Sequence, residues 1–426
     1  MEDLQGDLNE YFYRNLKAKS HTRARLNYIL DVLKFFRLYT IRKPEFINLL
    51  INWIMIGSYI KTSGRNIVRN KLFSAINIVG LSVSMSVGLL VVAFIFDLTS
   101  YDNFHEKQDR IYRVITSDAR TNQPPMKLAS TSVKAGKEIK ESLAGVEEVT
   151  LVYNGFGGDA TVDKTTVPIS GLWADESFFK VFSFRLLQGD PLTALKSPYS
   201  LVLTEKSAKK LFGSTNALGK TVKLDTLEYT VTGVLKDIPK LSHMRFESLA
   251  SFSTVELQQP NTEGGFLNWE SIYMNYTYLV VPEKGDIQTL QTNLNNLSRI
   301  ENTPLTNRKI NLSLQPLKKI SIGGHVNEMG PTMNVIALWV GIGLTCIIIL
   351  SACFNYTNLS IARSMRRSRE VGIRKVIGAL KNHIVWQFVT ESVIIALLAL
   401  CFSFLLFLVL RTQFVSLNSF IDSLVS

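Results

Sequence analysis

Cysteine is scarce. Cys346, Cys353 and Cys401 are the only three in 426 residues, and all fall inside apolar runs. No disulfide framework and no Cys-x-x-Cys or Cys/His metal spacing follows from them. The five histidines, His21, His105, His243, His325 and His383, are scattered, without the paired-ligand spacing of a metal site. No Gly-x-Ser-x-Gly elbow occurs. The stretch Gly213-Ser-Thr-Asn-Ala-Leu-Gly219-Lys220-Thr221 imitates a phosphate loop but has five residues between its glycines. The loop needs four to bring successive N–H groups onto the phosphates. A turn between a helix and a strand is the expected reading, and ATP hydrolysis is not expected of this chain. No catalytic, cofactor-binding or metal-ligating residues, and no cofactor, are expected. Acidic residues are in the minority, 35 against 47 Lys and Arg, for a net charge of +12. That surplus is uneven and flanks apolar runs, which fits membrane topology better than a nucleic-acid surface, so no nucleic-acid partner is expected.

Long apolar runs are what the chain has. Leu72 to Phe96 and Met329 to Ala362 carry no charge, and Ile384 to Leu410 carries only Glu391. About 20 apolar residues in a helix cross a hydrocarbon core roughly 30 Å thick. Three membrane-spanning helices are therefore predicted. Lys61, Arg65, Arg69 and Lys71 precede the first run; Arg363, Arg366, Arg367, Arg369, Arg374 and Lys375 follow the second. The excess of basic residues on one side sets the orientation. The N-terminus and the loop after the second span are expected in the cytoplasm, and the long insert outside. Residues 1–71 are too long and polar for a cleaved signal peptide, so the first span reads as an uncleaved anchor.

The fold class expected is an α-helical membrane protein with three transmembrane helices, a large α+β extracytoplasmic domain and a small helical cytoplasmic N-terminal region. The predicted organisation is a helical prefix at 1–45, an interfacial lead-in at 46–71 and the first span at 72–98. The extracytoplasmic domain then occupies 99–330, the second span 331–360, a cytoplasmic coupling loop 361–383, the third span 384–411 and an outer tail 412–426. Within the insert, strands are expected at Ile111–Thr116, Leu201–Leu203, Tyr229–Val234, Tyr276–Val281 and Asn311–Leu314, and helices at Ser132–Leu143, Glu205–Phe212 and Ile287–Arg299. They do not alternate as crossover units, which argues for α+β, expected as two subdomains.

Three sets of residues stand out. In 363–383, Ile373, Val376, Ile377, Leu380 and Ile384 share one helical face, with Arg367, Glu370, Arg374 and Lys381 beside it. The plain reading is a basic helix on lipid headgroups; the sharper one is a connector that docks on a soluble partner and passes motion into the spans. Gly372 and Gly378, costly inside a helix, suggest bends or close approach. Glu391 sits near the cytoplasmic end of the third span, where a hydrogen bond to the bundle or snorkelling explains it better than an ion relay. Gly80, Ser84 and Gly88 recur every four residues and make a small face for close helix packing, within the chain or in a dimer.

Several stretches resemble one family. Asn66-Ile-Val-Arg-Asn-Lys-Leu-Phe-Ser-Ala-Ile-Asn-Ile-Val-Gly-Leu81 is similar to the start of the first span of MacB/FtsX-type ABC transporter permeases. Tyr101-Asp-Asn-Phe-His-Glu-Lys-Gln-Asp-Arg-Ile-Tyr-Arg113 resembles the beginning of their periplasmic core domain. Arg369-Glu-Val-Gly-Ile-Arg-Lys-Val-Ile-Gly-Ala379, with Gln387-Phe-Val-Thr-Glu-Ser392, resembles their cytoplasmic loop and the start of their third span. The first 45 residues look like the prefix on large permeases of Bacteroidota. The resemblance implies an inner-membrane permease whose ATPase is a separate cytoplasmic subunit docking on the loop. Arg369, Glu370, Gly372, Arg374, Lys375 and Gly378 would then occupy the coupling region. It implies mechanotransmission: hydrolysis drives the external domain through the spans, for export of drugs, peptides or lipoproteins. It also implies a homodimer or pairing with a second permease half. Family units have a fourth span, whereas this chain stops 16 residues after Leu410, so a truncated or split unit is expected. Two other functions compete: a membrane-anchored sensor whose external domain binds a ligand, and a regulator of cell-wall enzymes.

Overall fold

The computed structural model describes residues 45–259, 265–366, 368–377 and 381–417, together with Glu10, Tyr13, Tyr28 and Ile29. The expected helical prefix therefore lies almost wholly outside the described residues. The described chain forms two compact units. One holds residues up to Gly80 with Tyr356–Leu400; the other holds Leu81–Asn355 with the residues from Cys401 onward.

Four long helices and one short one account for the apolar runs and the segments beside them. Helix α1 is Glu45–Arg69 and α2 is Lys71–Thr99. Gly57 and Ser58, which break the apolar pattern of the lead-in, do not interrupt α1. Helix α8 is Val335–Arg366, α9 is the nine-residue Ser368–Val376, and α10 is Lys381–Leu417. Three stretches are long and apolar enough to cross a membrane: Lys71–Thr99, Val335–Ala362 and Ile384–Gln413.

Between α2 and α8 lies an α+β domain built on one sheet. Its strands are β1 (Ile111–Arg120), β2 (Met126–Leu128), β3 (Glu148–Val162), β4 (Thr165–Ala174), β5 (Leu186–Gln188), β6 (Ser200–Thr204), β7 (Thr221–Leu224), β8 (Leu227–Leu235), β9 (Ser248–Ser251), β10 (Asn275–Val280) and β11 (Arg308–Pro316). The order across the sheet is β11-β1-β10-β3-β4-β9-β6-β8-β5, with β2 on β1 and β7 between β3 and β8. Among the described residues, the β4–β9 and β6–β8 pairs of this sheet are parallel and its other pairs antiparallel; a separate two-residue parallel pair joins Ile322–Gly323 to Met333–Asn334. The expected pair of subdomains is thus corrected. A continuous ladder joins these eleven strands, and two cores lie on opposite faces because side chains alternate along each strand. Val114, Leu151 and Leu279 enter one core; Ile111, Val152, Tyr278 and Val280 enter the other.

Helices α3 (Val133–Ser142), α5 (Glu205–Phe212), α6 (Phe252–Gln258) and α7 (Ile287–Glu301) cover the first face; the single-turn α4 (Phe178–Val181) joins the second. Their starts follow the capping rule: Ser132, Thr204 and Asp286 each accept a backbone N–H from the first turn. Gly213, with φ of 69°, closes α5 in the left-handed region, so the phosphate-loop imitation is a helix C-cap. The long β3–β4 hairpin is absent from the strands expected from sequence because Gly155, Gly157 and Gly158 read as loop punctuation. Instead Gly155 sits at a bulge, with φ of 98°. Gly171 is required by contact: a Cβ there would overlap the Ser248 carbonyl on β9.

Candidate transmission site at the base of the external domain

The external domain joins its spans through two short stretches, 100–110 after α2 and 320–334 before α8. Both are held by buried charge. Helix α2 ends as Thr99 Oγ1 and Ser100 Oγ fold back onto the carbonyls of Ile95 and Phe96, at 3.0 and 2.7 Å. The next turns place Asp102 at a φ of 58° with only 1% of its surface exposed. Its carboxylate accepts from Ser242 Oγ (3.1 Å), from the His243 backbone N–H (3.2 Å) and from His243 Nδ1 (2.7 Å). The other imidazole nitrogen, Nε2, lies 2.9 Å from the Tyr278 hydroxyl on β10. Burial alone would raise the Asp102 pKa, but the charge and hydrogen bonds of His243 hold it below the ordinary carboxylate range. Burial pushes Tyr278 upward, so it keeps its proton. His105 accepts the Ser183 N–H on Nδ1 at 3.0 Å. Burial drives its pKa down to about 4 against the opposing pull of Asp102, which leaves it neutral.

The return stretch is tied to the same part of the sheet. Arg113 on β1 is completely buried; its Nε and Nη2 donate to Gln315 Oε1 at 3.2 and 2.7 Å. Its Nη1 lies 2.7 Å from Glu328 Oε2. Burial would raise Glu328, but His325 and Arg113 hold it below the usual range. Ser321 Oγ then donates to the Leu98 carbonyl at 2.7 Å, joining the return stretch directly to the end of α2. Two ion clusters and one hydrogen bond thus fasten both crossings to β1, β10 and β11. Removing one partner of a buried pair strands the other, at a cost of about 3–5 kcal/mol. Asp102, His243 and Tyr278 resemble an acid–base relay in their order, but all three are buried and Ser242 donates to the aspartate instead of the imidazole. The arrangement fits a stiff joint.

The residues singled out from sequence are distributed as follows. In α9, Arg369 and Gly372 are exposed. Glu370, Arg374 and Lys375 lie on its backbone, with side chains outside the described set, and Gly378 and Leu380 lie outside the described residues. Among the described residues nothing approaches a Cβ placed on Gly372, and α9 runs through it without a break, so neither the bend nor the close approach expected there is found among them. Ile373, Val376 and Ile377 stand 55%, 89% and 80% exposed, an apolar edge that nothing in the described chain covers. Glu391 is 5% exposed and accepts from Asn66 Nδ2 of α1 at 2.7 Å, beside a cavity of about 40 Å³ lined by Tyr356, Ser360 and Ser392. Of the small-residue face, Ser84 is buried and a Cβ on Gly88 would meet Ile349 of α8 at 3.2 Å. Sequence reasoning missed Asp102, Arg113, His243 and Glu328. Arg113 carried a signal, a charge inside the apolar strand Ile-Tyr-Arg-Val-Ile; the other three pair across distances no pattern shows.

Comparison with known proteins gives the same assignment from both halves of the chain. Residues 74–297 match the MacB-like periplasmic core domain family, and residues 342–425 match the FtsX-like permease C-terminal family. Among curated relatives, the uncharacterized ABC transporter permease YvrN of Bacillus subtilis is 23% identical over 79% of this chain and 83% of its own length. The macrolide export ATP-binding/permease protein MacB of Pasteurella multocida is 25% identical over 61% of this chain, which spans only 37% of that larger protein. A domain of a permease protein from Porphyromonas gingivalis is 20% identical over 55% of this chain and 98% of its own, with a TM-score of 0.44. The periplasmic region of MacB from Actinobacillus actinomycetemcomitans is 18% identical over 50% of this chain and 91% of its own, with a TM-score of 0.35. With the core-domain match covering more than half the sequence, and with the external sheet carried between two helices able to span a bilayer, the chain belongs to the MacB/FtsX-type ABC transporter permeases.

Proposed function

We propose that the chain is the membrane component of an ABC transporter powered by a separate cytoplasmic ATPase. In this reading α9 is the docking element. Hydrolysis in the partner displaces α9, the spans carry the displacement outward, and the buried joint at Asp102, Arg113 and Glu328 delivers it to the external sheet. The N-terminus and α9 lie in the cytoplasm, residues 99–330 in the periplasm and the spans in the inner membrane. A homodimer, or pairing with a second permease half, completes the assembly. The cargo is exported and handled on the outer side, as drugs, peptides or lipoproteins.

The observation that carries the proposal is the uncovered edge Ile373, Val376 and Ile377 on a short helix between two spans. Apolar side chains this exposed, flanked by Arg369, Arg374 and Lys375, suit a protein partner with an apolar groove and an acidic rim. The test is purification of the full chain from native membranes with identification of what accompanies it. An ABC ATPase is expected, and it is lost when Val376 and Ile377 are both changed to Asp. Such a variant removes no contact within the described chain, so the yield of folded permease is expected to be unchanged. Recovery of a kinase or a wall hydrolase in place of an ATPase, or retention of the ATPase by the variant, would overturn the reading.

A further inference from the structure

The far end of the external sheet carries a cleft of about 740 Å³ between the last turns of α7, the loop 302–307, the start of β11 and the end of β1. That volume falls within the range of small-molecule sites. The cleft is polar and of one sign: Arg120, Arg299, Arg308 and Lys309 line it, with no carboxylate among the lining residues. The two nearby carboxylates are already committed. Asp118 accepts from Arg308 at 2.7 and 3.0 Å and from Arg120 at 3.1 Å, and Glu270 accepts from Arg308 at 3.0 Å. Arg299 and Lys309 have no ion-pair partner among the described residues, whereas Lys134, Lys137, Lys140, Lys209 and Lys210 elsewhere on the domain each face a carboxylate. Arg299 in the last turn of α7 complements the helix dipole, which explains one of the two cations but not Lys309 on the strand.

The walls are fixed before anything binds. Asn302 donates to the Ile310 carbonyl at 2.8 Å and accepts from its N–H at 3.1 Å, while Gln291 and Ser298 take the next open groups of the same edge, at Leu312 and Leu314. The edge of β11 is thereby closed to an added strand. What remains open is a preformed surface of unspent cations and amides. β1 carries this cleft away from the joint with the spans by ten residues, about 30 Å of extended chain.

The geometry points to a binding site for a small soluble polyanion, carboxylate or phosphate in type, held by Arg299 and Lys309 on a frame set by Arg308 and Asn302. The site is independent of the ATPase reading. The experiment is isothermal titration of the full chain, in nanodiscs of zwitterionic lipid at low salt, with citrate and separately with pyrophosphate. One-to-one binding of at least one probe is expected, weakened about tenfold or more in the Arg299→Gln/Lys309→Gln double variant, since each charge-assisted contact contributes on that scale. It is expected to be unchanged in Lys209→Gln/Lys210→Gln, which removes two cations elsewhere on the domain. Preference for citrate or pyrophosphate identifies the anion type. Absence of binding by both probes, or equal binding by the Arg299/Lys309 variant, would overturn the assignment.

Discussion

Replacing Glu328 by Gln tests the joint most directly. The change keeps the shape and an amide oxygen that can still accept from Arg113, but removes the negative charge that faces the buried guanidinium at 2.7 Å. A buried cation deprived of its counter-ion costs about 3–5 kcal/mol. In a domain of this size each kcal/mol lowers Tm by about 2–4 °C, so a fall of about 6–20 °C is expected. Trp173 and Trp269 lie in the core of the external domain at 8% and 5% exposure and report its unfolding by fluorescence in the full-length protein. The companion variant Arg113→Met/Glu328→Leu removes both charges at once. It is expected to recover most of the loss, because desolvating the pair offsets much of its attraction. If the Glu328→Gln protein melts within about 2 °C of the parent, less than one kcal/mol by the same scale, the joint is not stiffened by this pair and the argument fails.

Stability should also respond to acid through His105. Its folded pKa of about 4 lies below its unfolded value, so the unfolded chain takes up the proton first. The contribution is whole above about pH 6.5 and lost as pH falls to about 4, by roughly 3 kcal/mol in all. His105→Phe should flatten that window in a series of melts, and an unchanged slope would refute the assignment. Gly171→Ala should cost about 1–3 kcal/mol by forcing β4 away from β9. Denaturant midpoints for that variant equal to the parent's would show that the sheet yields there freely.

Some of this architecture was plain in the residues alone. The apolar runs required spans because backbone groups inside a bilayer must bond within their own helix. Helix α5 was read with its observed limits, and α3 and α7 to within two residues, because caps such as Ser132 and Asp286 are local signals. The β3–β4 hairpin was not, since its glycines suit a bulged strand and a loop equally. The uncovered face of α9 was visible as a pattern at Ile373, Val376 and Ile377, whereas its shortness was not, because charge and period are alike on either side of Arg367.

The sequence by itself determined where the chain meets lipid, which way the basic segments bias it, and that a large mixed domain hangs between the first two spans. These follow from composition and period, which act over a few turns of chain. Tertiary structure alone decided that this domain is a single sheet with two cores, that Asp102 meets His243 across 141 positions, and that Arg113 meets Glu328. Charges become a joint only where folding removes water from them, and no local pattern records which distant residues will share that dry space.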